Sequence, residues 1–400
     1  MPHFQLHPFQ AKALETLSVS LQKQTHVLCV APTGSGKSLI YEKAAKEPHR
    51  RTLLITPLVA LARQQFRKLK EMGIPVTLGA GGGIEGVSLD PPPQKSGAWI
   101  ISPETLQFAG KRNALSEWQP NLLVVDECHC LWEWGENFRP AFTLIPELLS
   151  KYSIPHSLWL TATLPHDARL QMRTLLPHPV TELGQFDLPA RLILQAQRIP
   201  WRLRTQALTE WVRKIDEPGL IFVPTRESTQ RIARLIAATG KRVISYHGGL
   251  SAEERKNIEQ MVSQNTVDVI VTTTAFGMGM DYPHLNYVVL WQTPTSILSL
   301  VQAIGRVGRN PNRNSHALVL WDYDDFRLLE WTVKNSSKRK KEMEDLLEFL
   351  NSPGCRLAGL KFYFDRIRTS SPQTCLPCGR CNFCLNRVGK PLKSLALDLP

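Results

Sequence analysis

The stretch APTGSGKS, residues 31–38, lies between an apolar run and a helix-like pattern, the setting in which a glycine-rich turn can wrap phosphate. Thr33, Gly34, Ser35 and Gly36 would turn backbone N–H groups toward phosphate oxygens, and the positive end of the next helix would reinforce that field. Lys37 offers a mobile ammonium for the β- and γ-phosphates, and Ser38 a hydroxyl for Mg2+. Asp126 and Glu127 follow the apolar run LLVV. At the carboxyl end of a parallel strand, Asp126 can hold Mg2+ through its water shell and Glu127 can orient and deprotonate an attacking water. A third segment, QAIGRVGR at 302–309, offers positive charge for a γ-phosphate in transit. If it is helical, Gln302, Arg306 and Arg309 fall about one turn apart on one face. Alone, the acids could be a helix start and the arginines a basic surface. With the glycine-rich turn they describe ATP hydrolysis.

A second chemistry belongs to the cysteines. Five of eight crowd between Cys355 and Cys384, and Cys378, Cys381 and Cys384 follow a C-x-x-C-x-x-C spacing with Cys355 upstream. Thiolates so spaced suit tetrahedral Zn2+ and would hold a small tail folded. Cys375 is a fifth candidate or a spare thiol. It gives the run an iron–sulfur look, but the spacing departs from the ferredoxin pattern, which favours zinc.

The third chemistry is contact with a polymer. VVDECHCLWEWGENFRP at 124–140 places Trp132, Trp134, Phe138 and Arg139 in one short loop behind the carboxylates, where rings could stack on bases. Burial at a lobe interface is the other reading, strongest for Trp132. A formal net charge of +13 fits a polyanionic partner, and residues 326–400 hold fourteen Lys and Arg against seven Asp and Glu. The chain lacks a signal-like start and any apolar stretch long enough for a membrane span, so a cytosolic protein is expected.

These residues need elements to hold them. Apolar runs followed by helical patterns (HVLCVAP, TLLITP, LLVVDE) predict a parallel sheet flanked by helices over residues 1–183. The pattern resumes in GLIFVPT, RVISYHGG, DVIVTTTAFG and YVVLWQTP, predicting a second α/β domain over 184–325. Residues 79–97, rich in Gly and Pro, read as a loop. From 326 to 400 a basic patch, an amphipathic helix and the cysteines form a third, small part.

LHPFQ (6–10), APTGSGKS, DECHC, WGENFRP, LTAT (160–163), TTTAFGMGMDYP (272–283), QAIGRVGR and CGRCNFC together resemble the RecQ family of superfamily 2 DNA helicases over roughly residues 4–387. The loop HCLWEWGENFRP and the segment AFGMGMDYP discriminate it from other helicases. The resemblance implies an α/β protein of two RecA-like parallel-sheet lobes plus a small helical zinc-binding subdomain. ATP would bind between the lobes, and the protein would move 3′ to 5′ along single-stranded DNA.

By the same resemblance, Gln10 reads adenine, Arg309 is the arginine finger, and Arg306 is a second phosphate contact. His129, Trp134, Phe138 and Arg139 sense DNA, and Thr161 and Thr163 link that contact to nucleotide state. Cys355, Cys378, Cys381 and Cys384 bind zinc. Trp132 and Glu136 depart from the family's usual residues there. A monomer acting on single-stranded and 3′-tailed duplex DNA in repair or recombination, in a bacterial cytosol or nucleoid, is implied. The family usually continues into a winged helix, whereas this sequence ends at Pro400. Unwinding is therefore less directly implied than hydrolysis, and a DNA-stimulated translocase or annealing factor is the alternative. A zinc-stabilised binding module with a degenerate ATP site is disfavoured by Lys37, Asp126, Glu127 and Arg309.

Overall fold

A computed structural model describes residues 8–23, 25–79, 90–134, 139–276, 282–333, 336–366 and 378–387, with 134 and 331–333 described for the backbone alone. Leu6, His7, residues 80–89 of the Gly/Pro-rich loop, Phe138, the GMGMD of residues 277–281 and Cys375 lie outside the described residues, as does the side chain of Trp134. The chain forms two compact units, Met1–Asp187 and Leu188–Pro400.

The first unit opens with α1 (Pro8–Lys23) and β1 (His26–Val30), followed by α2 (Ser38–Ala45), β2 (Arg51–Ile55), α3 (Val59–Glu71), β3 (Val76–Leu78) and β4 (Gly97–Ile101). Then come α4 (Ala109–Trp118), β5 (Leu122–Val125), α5 (Cys130–Trp134), α6 (Glu147–Lys151), β6 (Ser157–Thr161), α7 (His166–Leu175) and β7 (Val180–Gly184). The seven strands pair in the order β3-β4-β2-β5-β6-β1-β7, every registered pair parallel. A parallel sheet covered on both faces wants strands that are apolar throughout, and β1, β4, β5 and β6 are buried at every residue. Trp99 and Trp159 are wholly buried on one face, with Ile40, Tyr41 and Leu160 on the other.

The second unit runs β8 (Leu192–Arg198), α8 (Trp201–Arg213), β9 (Gly219–Phe222), α9 (Arg226–Ala237), β10 (Val243–Tyr246), α10 (Ala252–Ser263), β11 (Val269–Thr272), β12 (Tyr287–Leu290), α11 (Ile297–Ile304), β13 (Ser315–Trp321) and α12 (Tyr323–Val333). Its six-stranded parallel sheet has the order β10-β11-β9-β12-β13-β8. Local signals set its helix starts: Thr225 caps α9, Ser251 with Glu254 forms a capping box on α10, and Ser296 with Ser299 forms one on α11. Inside it, Arg204 makes a fork with both Asp325 oxygens at 2.9 and 2.8 Å, and Asp325 also accepts from Thr293 and the Asp322 N–H. This satisfied pair ties α8 to the segment leading into α11.

α13 (Ser337–Asn351), α14 (Arg356–Asp365) and α15 (Asn382–Arg387) belong to the second unit. The cysteine loop lies along the outer strand β8. Leu194 N–H donates to Arg380 O at 2.8 Å, and the Asn382 amide exchanges hydrogen bonds with both backbone groups of Ala196. Arg380 also donates to the Ala190 carbonyl.

Candidate nucleotide site and metal centre

Because β5, β6 and β1 are neighbours, the segments following them emerge side by side at one edge of the first sheet. That adjacency brings APTGSGKS, DECHC and TAT together. In the glycine-rich turn, Gly34 and Gly36 have φ +83° and +74°, a region costly for residues with a side chain. A Cβ at Gly36 would also meet the Gln10 amide nitrogen. Gln10 is buried, and its Nε2 donates to Ser35 O at 3.1 Å and Gly36 O at 3.3 Å. Gln10 thus braces the turn from α1. Lys37 Nζ donates to Ala31 O at 2.8 Å and Pro32 O at 3.0 Å, so its ammonium lies against the turn where phosphate oxygens would compete for it. Ser38 is the first residue of α2, and Thr33 is exposed.

Asp126 follows β5, its N–H bonded to Ile55 O. One oxygen accepts from Glu127 N–H at 3.0 Å and the other from Gln65 Nε2 at 2.6 Å. Burial, then the charge of Glu127, pushes the Asp126 carboxyl up to about 7, against the pull of Lys37. A bound dication would relieve that strain, which fits Mg2+. Glu127 has φ +50°, a left-handed conformation that costs a glutamate about 1–2 kcal/mol. The bond from its N–H to Asp126 helps hold it there, and its carboxylate lies 3.3 Å from His129 Nδ1.

His129 joins the acids to the TAT segment. Its Nδ1 is 3.0 Å from Thr161 Oγ1, which also accepts from Thr163 N–H and donates to Thr163 O. Since the threonine's proton goes to Thr163 O, Nδ1 of His129 is the donor to Thr161. Burial opposes a charge on His129, yet Cys130 and Glu127 together hold its pKa well above the usual value.

What the sequence reads as a loop begins instead as the short helix α5, since the N–H groups of Trp132 and Glu133 turn back to His129 O. Trp132 is half-buried against the core of the first unit itself, and its Nε1 donates to Gln171 Oε1 at 2.8 Å. Arg139 grips Glu104 through two bonds of 2.6 and 2.7 Å, donates to Pro57 O at 2.6 Å and lies over the Phe142 ring. These contacts anchor the far end of the loop. Glu104 is half-buried, which opposes its charge, but the hydrogen bonds from Arg139 outweigh that and hold its carboxyl below the usual pKa.

In the second unit Gln302 lies on α11, but the expected continuous helix stops at Ile304. Gly305 caps it and Gly308 takes φ +75°, so Arg306 and Arg309 follow in turns and do not share a helical face with Gln302. The cysteines do converge: the sulfurs of Cys355, Cys378, Cys381 and Cys384 all lie within 4.8 Å of one another. Tetrahedral Zn–S bonds of ~2.3 Å place sulfurs about 3.8 Å apart, so the set fits a metal.

Gln65, Glu104, Tyr41 and Gln171 escape the sequence reading. Gln65 left a trace, a polar residue on the α3 stripe formed by buried Ala62 and Leu69.

Both units match known helicase domains: a DEAD/DEAH box helicase model fits residues 7–170, and a helicase conserved C-terminal domain model fits residues 204–311. The chain is thus a two-lobed helicase of superfamily 2. It is 29% identical over 345 residues to the probable ATP-dependent DNA helicase RecS of Bacillus subtilis, covering 85% of this chain and 69% of that protein. Against the ATP-dependent DNA helicase RecQ of Bacillus subtilis it is 26% identical, covering 95% and 65%, and against that of Pasteurella multocida 28%, covering 96% and 61%. The chain belongs to the RecQ family, and it spans about two thirds of the length of these relatives.

Among solved structures, the DUF1998 helicase MrfA bound to DNA and AMPPNP matches with a TM-score of 0.62 at 21% identity, covering 86% of this chain and 53% of that one. S. cerevisiae Dbp5 bound to RNA and ADP BeF3 matches with a TM-score of 0.60 at 19% identity, covering 82% and 91%. These likenesses show the fold alone. Among the described residues no helix is long and apolar enough to cross a membrane.

Proposed function

We propose that this chain is an ATP-dependent DNA helicase that moves 3′ to 5′ on single-stranded DNA and separates duplex ahead of it. The observation that carries the reading is the convergence of Lys37, Asp126 and Glu127 with the His129–Thr161–Thr163 bridge on adjacent strand ends. ATP phosphates take the N–H groups of residues 33–38, and Lys37 exchanges the Ala31 and Pro32 carbonyls for phosphate oxygen. Ser38 and Asp126 hold Mg2+, which when bound neutralises phosphate charge. Glu127 orients water and accepts its proton. Gln10, through the turn it braces, faces the base. Arg306 and Arg309 supply the remaining positive charge to the γ-phosphate, and Gln302 supplies a neutral amide for hydrogen bonding.

In this reading His129 relays the presence of DNA, because any shift of the segment after Cys130 moves a histidine bonded to both Glu127 and Thr161. Trp134 and Phe138 stack on bases, whereas Arg139, committed to Glu104, positions the loop. Zinc on the four cysteines keeps the tail folded. A monomer acting in the cytosol in DNA repair or recombination accords with the kinship.

Phosphate release with and without single-stranded DNA, alongside unwinding of 3′- and 5′-tailed duplexes, tests the reading. DNA should stimulate hydrolysis at least about tenfold, a 1.4 kcal/mol drop in the barrier, and only 3′-tailed duplex should open. Hydrolysis indifferent to DNA would overturn the coupling, and preferential opening of 5′-tailed duplex would overturn the polarity.

A further inference from the structure

Asp126 has company that the phosphate-binding motifs do not include. Gln65, 5% exposed on α3, donates Nε2 to Asp126 Oδ2 at 2.6 Å, while its own Oε1 is buried and accepts no hydrogen bond among the described residues. The Tyr41 hydroxyl, on α2 and 1% exposed, lies beside Gln65 and Ser38 but likewise makes no hydrogen bond of ordinary geometry. Two buried oxygens without a well-formed hydrogen bond among the described residues, next to a buried carboxylate, would each cost up to about 1–3 kcal/mol if they stayed so. Their neighbours are the two residues, Ser38 and Asp126, that the proposed function gives to magnesium. Mg2+ usually keeps several of its waters, and those waters are strong donors seeking acceptors.

We propose that Gln65 and Tyr41 form an outer bracket for hydrated magnesium, Gln65 fixing the Asp126 carboxylate with its amide nitrogen and both oxygens accepting hydrogen bonds from metal-bound water. The assignment rests on the nucleotide–magnesium reading above. It makes both residues positioning residues that act through Asp126 and water.

The test uses the full chain and a fluorescent ATP analogue, titrated in EDTA and across a Mg2+ series, with Mn2+ binding in the presence of ADP followed by electron paramagnetic resonance. Gln65→Met keeps length and bulk but deletes the amide. Tyr41→Phe deletes one hydroxyl. The Mg2+ concentration giving half of the affinity gain should rise about tenfold in Gln65→Met, with a smaller rise in Tyr41→Phe, and Mn2+ should weaken in parallel. Affinity in EDTA should stay within about twofold. Tyr41→Phe should melt no lower than the parent, since it removes a buried hydroxyl without a partner, so it decides the matter if Gln65→Met fails to fold.

An unchanged Mg2+ midpoint in a folded variant overturns the bracket, as does an equal loss with and without Mg2+, which marks a purely structural glutamine. If the parent protein itself gains nothing from Mg2+, the nucleotide–magnesium reading falls and takes the bracket with it. That outcome is distinguished by the parent alone.

Discussion

The nucleotide site of the first lobe and the cysteine cluster of the tail are both convergent sets of side chains, yet they are held in opposite ways. Asp126 and Thr161 sit at the ends of β5 and β6, and Lys37 in the turn between β1 and α2, on a core where β1, β5 and β6 are buried throughout, so the sheet places them whatever they bind. The cysteines are spread over a short helix start and a loop, in a part of the chain with few long apolar runs of its own. There the ligand must help to place the residues. A site built on a sheet can lose its ligand and keep its shape; one built on small helices is expected to lose both.

The sharpest way to break that contrast is Cys381→Ala. Structural zinc is worth roughly 10–16 kcal/mol of apparent binding energy, so the variant should lose its metal by elemental analysis and the protease resistance of residues 336–366 and 378–387 with it. Retention of one zinc per chain would remove Cys381 from the ligand set.

Lys37→Ala should do the reverse, abolishing at least about 99% of hydrolysis, some 3 kcal/mol, while melting within about 2 °C of the parent and still binding DNA. Collapse of the fold would show that the sheet does not hold this site unaided.

Arg139→Ala breaks the fork to Glu104, and chemical denaturation should register a loss of about 2 kcal/mol in the first lobe. A stability equal to the parent's would return Arg139 to a role in direct DNA contact.

The most gradual effect should come from pH. Burial, then His178 and His156, push the pKa of His26 down to about 4, so the folded protein keeps this ring neutral while the unfolded chain protonates near 6.5. The unfolded state therefore holds more protons between those values. Stability is full above about pH 6.5 and declines as pH falls toward 4. Melting curves of His26→Asn across that window should slope less than the parent's, and an identical slope would rule out this residue as a source.

Much of this architecture is legible in the sequence because a parallel sheet covered on both faces demands uninterrupted apolar runs, and LLVV, HVLCV and SLWLT are such runs. The acids and the glycine-rich turn could be placed because strand ends make the crevice. At residues 302–309 the spacing suggests a shared face only if the segment is helical, but α11 stops at Ile304 and Gly308, at φ +75°, turns the chain between the arginines. Arg139 and Trp132 illustrate a different limit. A charge or ring in a polar loop looks available until the partner is known, and Glu104 and Gln171 are 35 and 39 residues distant along the chain. Gln65 could have been noticed as a misfit on its helix, but nothing local says that its partner is Asp126.

The lie of the cysteine loop along β8 bears on how the molecule ages. An outer strand whose amides and carbonyls lose their cover is a template for a second chain. If zinc occupies the four cysteines, chelation should uncover this strand and raise light scattering before either lobe melts, and metal supply would then govern solubility as well as shape.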